Sequence, residues 1–414
     1  MNGRNSSVVV TGLGIAAPNG LGNRNYWESV REGVSGIGRI SHFDPSQYPS
    51  RLAGEVKGFV PEEHLTSRII SQTDRMTQLA LVGTDCAFAD ARTQPSEFDE
   101  YEMGVVTASS SGGFEFGENE LRNLWSQGGQ YVSAYQSFAW FYAVNSGQIS
   151  IRNGMRGPSG VVVSDQAGGL DAIAQARRQI RKGTRMIVSG GIDASLCPWG
   201  WTAQLTSRRL STSSDPNRAY LPFDAEAAGH VPGEGGALVI MEDLASAHER
   251  RAPNVYGEIS GYAATIDPGA GVESATSLQK AIEQALRNAD ADPAEIDLVF
   301  ADAAAVPELD RAEAEALTKV FGVRGVPVTA PKTTTGRLGS GAASLDVATA
   351  FLAMRDGVIP PTPNVRIADE YDIDLVSEKR ESRAGVRNCL VIARGIGGFN
   401  SAMVLRDSNQ SSGR

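Results

Sequence analysis

The sequence predicts an α/β fold made of two related halves, on the basis of three observations. Glycine-punctuated apolar runs typical of strands alternate with amphipathic segments typical of helices along the whole chain, as they do in α/β proteins. The length of 414 residues is enough for two large units that share an interface. Residues 161–183 and 326–357 repeat one order, in which a strand and a small-residue turn precede a helix that opens with Leu-Asp. We therefore expect halves at residues 1–252 and 253–414, each presenting a turn to a shared cleft.

The individual elements follow from local patterns taken in chain order. Runs rich in β-branched residues between turn residues predict strands, which we place at 8–11, 103–108, 161–164, 186–189, 237–241, 297–301, 326–329, 389–394 and 402–405. Apolar residues spaced three and four apart predict helices, which we place at 26–32, 74–90, 118–127, 169–181, 277–288, 311–321 and 344–355.

Charge and hydropathy exclude several classes of protein. The formal net charge is −10, whereas nucleic-acid-binding proteins usually carry a basic domain or stripe. No run of apolar residues approaches the length of a transmembrane helix. The opening residues lack the apolar core of a signal peptide. We expect a cytoplasmic protein that binds neither nucleic acid nor membrane.

Cysteine and histidine are few and badly placed for metal binding. The three cysteines are far apart and form no CxxC or Cys/His pattern, so neither a disulfide framework nor a metal site is expected. None of the four histidines lies in a glycine-rich turn between a strand and a helix. The sequence is therefore poor in the usual acid–base residues of an active site.

Residues 161–178, VVVSDQAGGLDAIAQARR, have the form of a turn that presents a catalytic nucleophile. A buried strand leads into a tight turn that opens a helix, so the turn residue lies where backbone N–H groups and the helix dipole favour negative charge. Enzymes that use this device carry Cys or Ser in the turn. Here the turn carries Gln166, a neutral amide that does not attack a carbonyl carbon.

A second glycine motif, GLGIAA at residues 12–17, satisfies the pattern of a dinucleotide-binding turn after a strand. In such a turn the glycines lead directly into a helix, and an acidic residue follows about twenty residues later to bind the ribose. Here Pro-Asn-Gly continues the loop, and no such strand with a terminal acid follows. A close-packed turn is favoured over an NAD site.

Taken together, the motifs resemble the ketosynthase family of the thiolase fold. The resemblance extends from VVVTGLGIAAPNG near the start, through RAYLPFDAEAAGHVPGEGGA at 218–237, to GIGGFNSAMVLR near the end. It implies a thiolase-like α/β fold in which two related halves form an α-β-α-β-α layered arrangement.

The family's reactive positions are all changed in this sequence. The resemblance aligns the nucleophilic cysteine with Gln166, the first histidine (in an AHGTGT-like turn) with Asp302, and the second histidine (in a GHSLG-like turn) with Arg337. Lys332 stands at the family's lysine position. We expect Asp302 and Arg337 to form an ion pair that fills the former site.

Residues 137–160 and CPWGW at 197–201 resemble more closely the chain-length factors, or ketosynthase β subunits, of type II aromatic polyketide synthases. This implies a noncatalytic subunit that pairs with a catalytic ketosynthase α subunit and forms a tunnel for the poly-β-keto chain. No cofactor is implied; the chain is presented on the phosphopantetheine arm of an acyl carrier protein. Residues 155–164 would form the strand that bridges the two subunits.

The resemblance also implies that residues 112–125 line the tunnel. Gly117, Leu121 and Trp125 are spaced four apart and share one helix face, with Phe114 just before them. Phe114 and Leu121 are candidate end-stops, and Gly117 leaves a gap that a larger side chain would close.

The alternative function is decarboxylation of malonyl groups on the acyl carrier protein to prime the chain. In that case the amide of Gln166, with the backbone N–H groups of Gln166 and Ile396, would stabilise an enolate oxygen.

Overall fold

The computed structural model describes residues 7–269 and 274–407. The opening residues 1–6, on which the expectation about a signal peptide rests, lie outside the described part. No helix within the described residues is both long and apolar enough to cross a membrane.

Strands and helices alternate along the described chain. The strands are β1 (Val8–Ala17), β2 (Gly20–Leu21), β3 (Ile37–Arg39), β4 (Leu52–Gly54), β5 (Met103–Ala108), β6 (Ser159–Val162), β7 (Met186–Asp193), β8 (Gly235–Asp243), β9 (Gly257–Ile266), β10 (Leu298–Phe300), β11 (Pro327–Thr329), β12 (Val358–Ile359), β13 (Asp374–Leu375), β14 (Arg380–Glu381), β15 (Asn388–Gly395) and β16 (Phe399–Arg406). The helices are α1 (Asn23–Val30), α2 (Ser67–Gln72), α3 (Arg75–Ala91), α4 (Phe114–Gln127), α5 (Gln136–Ala139), α6 (Val144–Asn153), α7 (Gly168–Ile180), α8 (Pro198–Leu205), α9 (Leu244–Glu249), α10 (Ala275–Ala289), α11 (Pro307–Phe321) and α12 (Gly341–Asp356).

The main strands join in one mixed sheet with the order β13-β11-β10-β15-β16-β9-β1-β8-β7-β5-β6. Strands β1 and β9 pair near the middle and connect the strands of the two halves. Strand β6 pairs in parallel with β5 at one end of this order. The outer edge of β6 is therefore open for pairing with another chain.

Alternate residues of the central strands enter different cores, because successive side chains of a strand point to opposite faces. In β8, Val239 packs in the core shared with α7 and α12, whereas Ile240 packs in the core around α3. In β15, Val391 packs in that same shared core, whereas Leu390 packs in the core around α10. The two halves of the continuous sheet therefore form two layers, with α7 and α12 between them and α3 and α10 on the outer faces. The resulting order is helix, sheet, helix, sheet and helix, as predicted.

Each predicted strand and helix has a counterpart, but the ten-residue central strand β9 was not predicted, and among the helices the largest differences concern α4, α6 and α8. Helix α4 begins at Phe114 rather than at residue 118, because a carboxylate from another helix satisfies its first turn. Helix α6 was not predicted from the sequence. Helix α8 was also missed; its first turn is held by Pro198 and by the thiol of Cys197, which accepts from the N–H of Gly200.

Candidate functional site

The predicted nucleophile turn is present between β6 and α7. Asp165 has a φ of +50°, a left-handed conformation that costs a non-glycine residue roughly 1–2 kcal/mol. Gln166 follows in a short helical turn that leads into α7, and it is buried. A Cβ atom on Gly169 would lie 2.7 Å from the carbonyl oxygen of Ser340, so glycine allows α7 to approach the turn before α12. The turn thus places Gln166 at the junction of the two halves.

The amide of Gln166 is bound to the backbone of Gly339. In the orientation that satisfies both groups, the amide nitrogen donates to the carbonyl oxygen of Gly339 at 3.2 Å and the amide oxygen accepts from its N–H at 3.1 Å. Gly339 belongs to the glycine-rich turn of the second half. Gln166 therefore joins the two turns by a two-point hydrogen bond, where a nucleophile would have to remain free.

The expected ion pair between Asp302 and Arg337 is present and buried. Guanidinium Nη2 lies 3.0 Å from Oδ1 of Asp302, and the two side chains are 6% and 3% exposed. Nη1 also donates to the backbone oxygen of Asp302 at 2.9 Å. A guanidinium does not lose a proton in proteins. The two opposite charges therefore neutralise each other in the cleft, and the pair supplies neither an acid nor a base.

Charge controls titration in this pair more strongly than burial does. Burial by itself would raise the pKa of Asp302, but the charges of Arg337 and Lys332 outweigh it and hold the pKa below its usual value. Burial would likewise lower the pKa of Arg337, but Asp302 and Tyr220 raise it above its usual value. Both members of the pair are ionised.

Lys332 is also engaged. Its Nζ lies 2.8 Å from Oδ2 of Asp346 on α12, and both side chains are buried. It donates to the carbonyl oxygen of Ala301 at the end of β10. Lys332 therefore ties the turn that follows β11 to β10 and α12.

The N–H of Ile396 is occupied by a neighbouring carboxylate. It donates to Oδ2 of Asp165 at 2.9 Å. Burial raises the pKa of Asp165, although this hydrogen bond opposes the increase. A donor already bound to a carboxylate is unavailable to an enolate oxygen, so the predicted use of this N–H is not supported by the geometry.

The turn after β10 has the positive φ angles that usually require glycine, although alanines occupy these positions. Ala303 and Ala305 have φ values of +51° and +55°. Glu313 on α11 accepts the N–H groups of Asp302 and Ala303 at 2.7 and 2.9 Å. These buried hydrogen bonds hold a strained turn that orients Asp302 toward Arg337.

A cavity of about 480 Å³ brings these groups together from both halves of the chain. Its wall also includes His230, one of the four histidines that lie in no glycine-rich turn between a strand and a helix. Burial, reinforced by the charge of Arg337, lowers the pKa of His230 to about 3, so its imidazole is neutral. His230 lies within the motif at residues 218–237, and the folding of that segment against the cleft brings its side chain there. The predicted site residues in the wall are Phe114, Gln166, Asp302, Arg337 and Ile396.

The predicted tunnel residues follow one side of α4 but differ in surroundings. Phe114 stacks on Trp199 with ring centroids 4.7 Å apart. Gly117 is buried, and a Cβ atom there would lie 3.1 Å from Cζ3 of Trp199. Leu121 is half-buried, and Trp125 is 78% exposed. The face therefore runs from the cavity to the surface of the chain.

Trp199 contacts both Phe114 and Gly117 on this face of α4, and the sequence did not predict these contacts. It lies on α8, 82 positions after Gly117 along the chain. Its backbone N–H donates to Glu118 of α4 at 3.0 Å. The CPWGW motif marked this segment as a family signature, but only the packing of α8 on α4 shows what its first tryptophan contacts.

Exposed apolar side chains lie beside the open edge of β6. Val163, just after the strand, is 49% exposed. Large exposed apolar side chains in one region are a mark of protein–protein contact. Ile151, on the helix α6 that packs against β6, is 78% exposed.

Family models and a curated relative match nearly the whole chain. The family model for the beta-ketoacyl synthase N-terminal domain matches residues 5–247, and that for the C-terminal domain matches residues 256–366. The tetracenomycin polyketide synthase ketoacyl synthase beta subunit of Streptomyces glaucescens is 57% identical over 402 residues, which cover 96% of this chain and 98% of that protein.

Solved structures share the fold over nearly the whole chain. The ishigamide ketosynthase/chain length factor matches with a TM-score of 0.88 and 25% identity, covering 97% of this chain and 99% of that chain. A type II polyketide synthase acyl carrier protein in complex with its ketosynthase matches with a TM-score of 0.88 and 23% identity, covering 98% and 100%. The predicted thiolase-like fold is confirmed.

Proposed function

The chain belongs to the beta-ketoacyl synthase family, and we propose that it is the noncatalytic, chain-length-determining subunit of a type II polyketide synthase. The observation that carries this proposal is the replacement of a reactive site by a closed polar network. Gln166 is bound to Gly339, and Asp302 is bound to Arg337. Condensation needs a thiolate nucleophile and groups that assist decarboxylation, and the network contains neither.

The reactive groups then come from a catalytic ketosynthase α subunit. The open edge of β6 and its exposed apolar surround supply a surface on which a related chain can continue the sheet. The growing chain reaches the pair on the phosphopantetheine arm of an acyl carrier protein. Both partners are supported by relatives, because one solved ketosynthase is bound to a carrier protein and another is described as a ketosynthase/chain length factor.

The contribution of this subunit is a wall that limits the poly-β-keto chain. A closed, dry tunnel protects a reactive chain from water and from unwanted cyclisation, and its depth limits the number of extender units. Phe114 and the Trp199 ring stacked on it form an aromatic barrier beside the cavity. The predicted gap at Gly117 is closed by Trp199, since a Cβ atom there would lie 3.1 Å from Cζ3 of its ring, and Leu121 and Trp125 extend the same face.

The decarboxylase alternative is less well supported by the contacts. It requires the amide of Gln166 and the N–H of Ile396 as free donors. The amide is paired with Gly339, and the N–H is paired with Asp165. An enolate would have to displace both pairs, with no imidazole at either of the replaced histidine positions to assist.

The proposal is tested by Gly117→Phe in the heterodimer reconstituted with an α subunit and carrier protein. Because Trp199 already packs against Gly117, the new ring has to displace the aromatic barrier toward the cavity, so the main product should become shorter by at least one extender unit while synthesis continues. Product length is measured by mass spectrometry, with Gly147→Ala as the control, because a Cβ atom at Gly147 meets no atom within 4 Å. Unchanged product length in a normally assembled Gly117→Phe heterodimer contradicts the proposed function.

A further inference from the structure

The carboxylate of Asp74 connects the start of α3 with the start of α4. Its Oδ1 accepts from the N–H of Met76 at 2.8 Å and caps α3. Its Oδ2 accepts from the N–H of Phe116 at 2.8 Å, in the first turn of α4. Asp74 is 2% exposed, so both hydrogen bonds are protected from water.

The first turn of α4 is capped by Asp74 and not by a side chain at its own N-terminus. The first N–H groups of a helix lack intrahelical acceptors, and the residue before α4 is Gly113, which has no side chain to supply one. Glycine is also required there by space, since a Cβ atom would lie 2.8 Å from Cβ of Asp74 and 2.3 Å from the carbonyl oxygen of Ala139. The absence of a side chain at Gly113 thus leaves the space that Asp74 occupies.

The rest of α4 is held by contacts nearer the surface. Gly117 is the buried residue of the helix, and its later anchors are carboxylates on α4 itself. Glu118 accepts from the backbone of Trp199, and Glu120 accepts from the N–H of Ser133 at 2.6 Å. Asp74 differs because it reaches α4 from the core, through a helix that packs against β1 and β8.

We propose that Asp74 is a positioning residue for chain length: it fixes the first turn of α4, and with it Phe114 and Gly117, relative to the core. This inference rests on the proposed function, since the tunnel wall it positions is part of that function. Asp74 itself contacts no tunnel space; it acts through the backbone of Phe116. Loss of the hydrogen bond from the N–H of Phe116 should let the first turn of α4 move, so that the depth of the tunnel is no longer fixed at one value.

Two substitutions separate the two hydrogen bonds of Asp74. Asp74→Ser keeps a hydroxyl acceptor that can cap α3 but is too short to reach Phe116. Asp74→Asn keeps the shape but offers one acceptor oxygen and one donor nitrogen for two N–H groups. In each reconstituted heterodimer, the share of native-length product should fall at least about twofold, with longer and shorter products appearing. Asp243→Asn, which alters the cap of the remote helix α9, should leave the product distribution unchanged.

A second pair of variants tests the same contact from the other side. Phe116→Pro removes the N–H that Asp74 accepts, at a position in the first turn where proline is tolerated. Phe116→Leu keeps that N–H. The proline variant should broaden the product distribution and the leucine variant should not, and this pair decides the matter where Asp74 variants fail to assemble.

The outcomes distinguish this inference from the function on which it rests. If Gly117→Phe shortens the product but the Asp74 variants give one product of native length, the positioning role of Asp74 is wrong and the proposed function stands. Equal effects of Phe116→Pro and Phe116→Leu also overturn it. If Gly117→Phe leaves product length unchanged, the proposed function fails, and the role of Asp74 fails with it.

Discussion

At the scale of single residues, the former catalytic cleft is filled by groups that satisfy one another. Gln166 pairs with backbone, Asp302 with Arg337, and Lys332 with Asp346. Buried charges that lose one partner are costly, because the remaining charge stays desolvated. The replacements are therefore interdependent, and each is expected to matter for folding more than for chemistry.

The Asp302–Arg337 pair gives a stability prediction. Arg337→Leu leaves the Asp302 carboxylate buried and unpaired, and should lower the free energy of unfolding by about 3–5 kcal/mol. Adding Asp302→Asn removes the stranded charge and should recover part of that loss. Guanidinium unfolding curves of Arg337→Leu, Asp302→Asn and the double variant measure the losses, and strictly additive losses would contradict the coupling expected between these side chains.

Asp310 gives a prediction about pH. Burial raises its pKa from 3.8 to about 8, opposed by the N–H of Phe223 and reinforced by the charges of Glu313 and Asp302. Between these pH values the folded protein retains a proton that the unfolded chain has released, so this group's stabilising contribution is lost as pH rises. The slope approaches about 1.4 kcal/mol per pH unit.

Asp310→Asn removes that titration. The free energy of unfolding of the variant should therefore fall less steeply than that of the original protein between pH 5 and pH 8. Urea titrations at several pH values measure the slope, with Asp99→Asn as a control because Asp99 is exposed. Parallel pH profiles for Asp310→Asn and the original protein would show that Asp310 does not keep its proton.

At the scale of elements, the proposed function assigns subunit pairing to β6 and the tunnel wall to α4. The strand that leads into the nucleophile turn has an open edge, and the helix behind it carries the proposed tunnel wall. Neither element is stabilised mainly by its own burial, since β6 is half-exposed and Gly117 is the buried residue of α4. Contacts from other elements decide where both of them lie.

The edge of β6 gives a prediction about assembly. Val163→Asp places a charge in the surface proposed to face the α subunit, and should weaken the heterodimer at least about tenfold, which corresponds to about 1.4 kcal/mol. Analytical ultracentrifugation of the mixed subunits measures the affinity. Val323→Asp is the matched control, because Val323 is 64% exposed and lies far along the chain, after α11. Equal affinities for both variants would contradict the role of the β6 edge.

At the scale of the whole molecule, the five-layer arrangement explains why the scaffold persists without its chemistry. Helices α7 and α12 lie in the middle and carry the two turns that meet at the cleft. The packing of α7 against β6 and of α8 against α4 sets where these two elements lie. A partner chain of the same fold can then add the missing thiolate and imidazoles to a preformed wall.

The sequence by itself determined most of the strands and helices and the family, because local periodicity and the motif around Gln166 depend on neighbouring residues. It also predicted the Asp302–Arg337 pair, since opposite charges at two positions of one cleft must neutralise each other. Only the tertiary structure decided that Gly339 occupies the amide of Gln166, that Trp199 covers Gly117, and that Asp74 caps α4. These contacts join residues 42 to 173 positions apart, and no local pattern carries them, because such contacts depend on how separate elements pack in space.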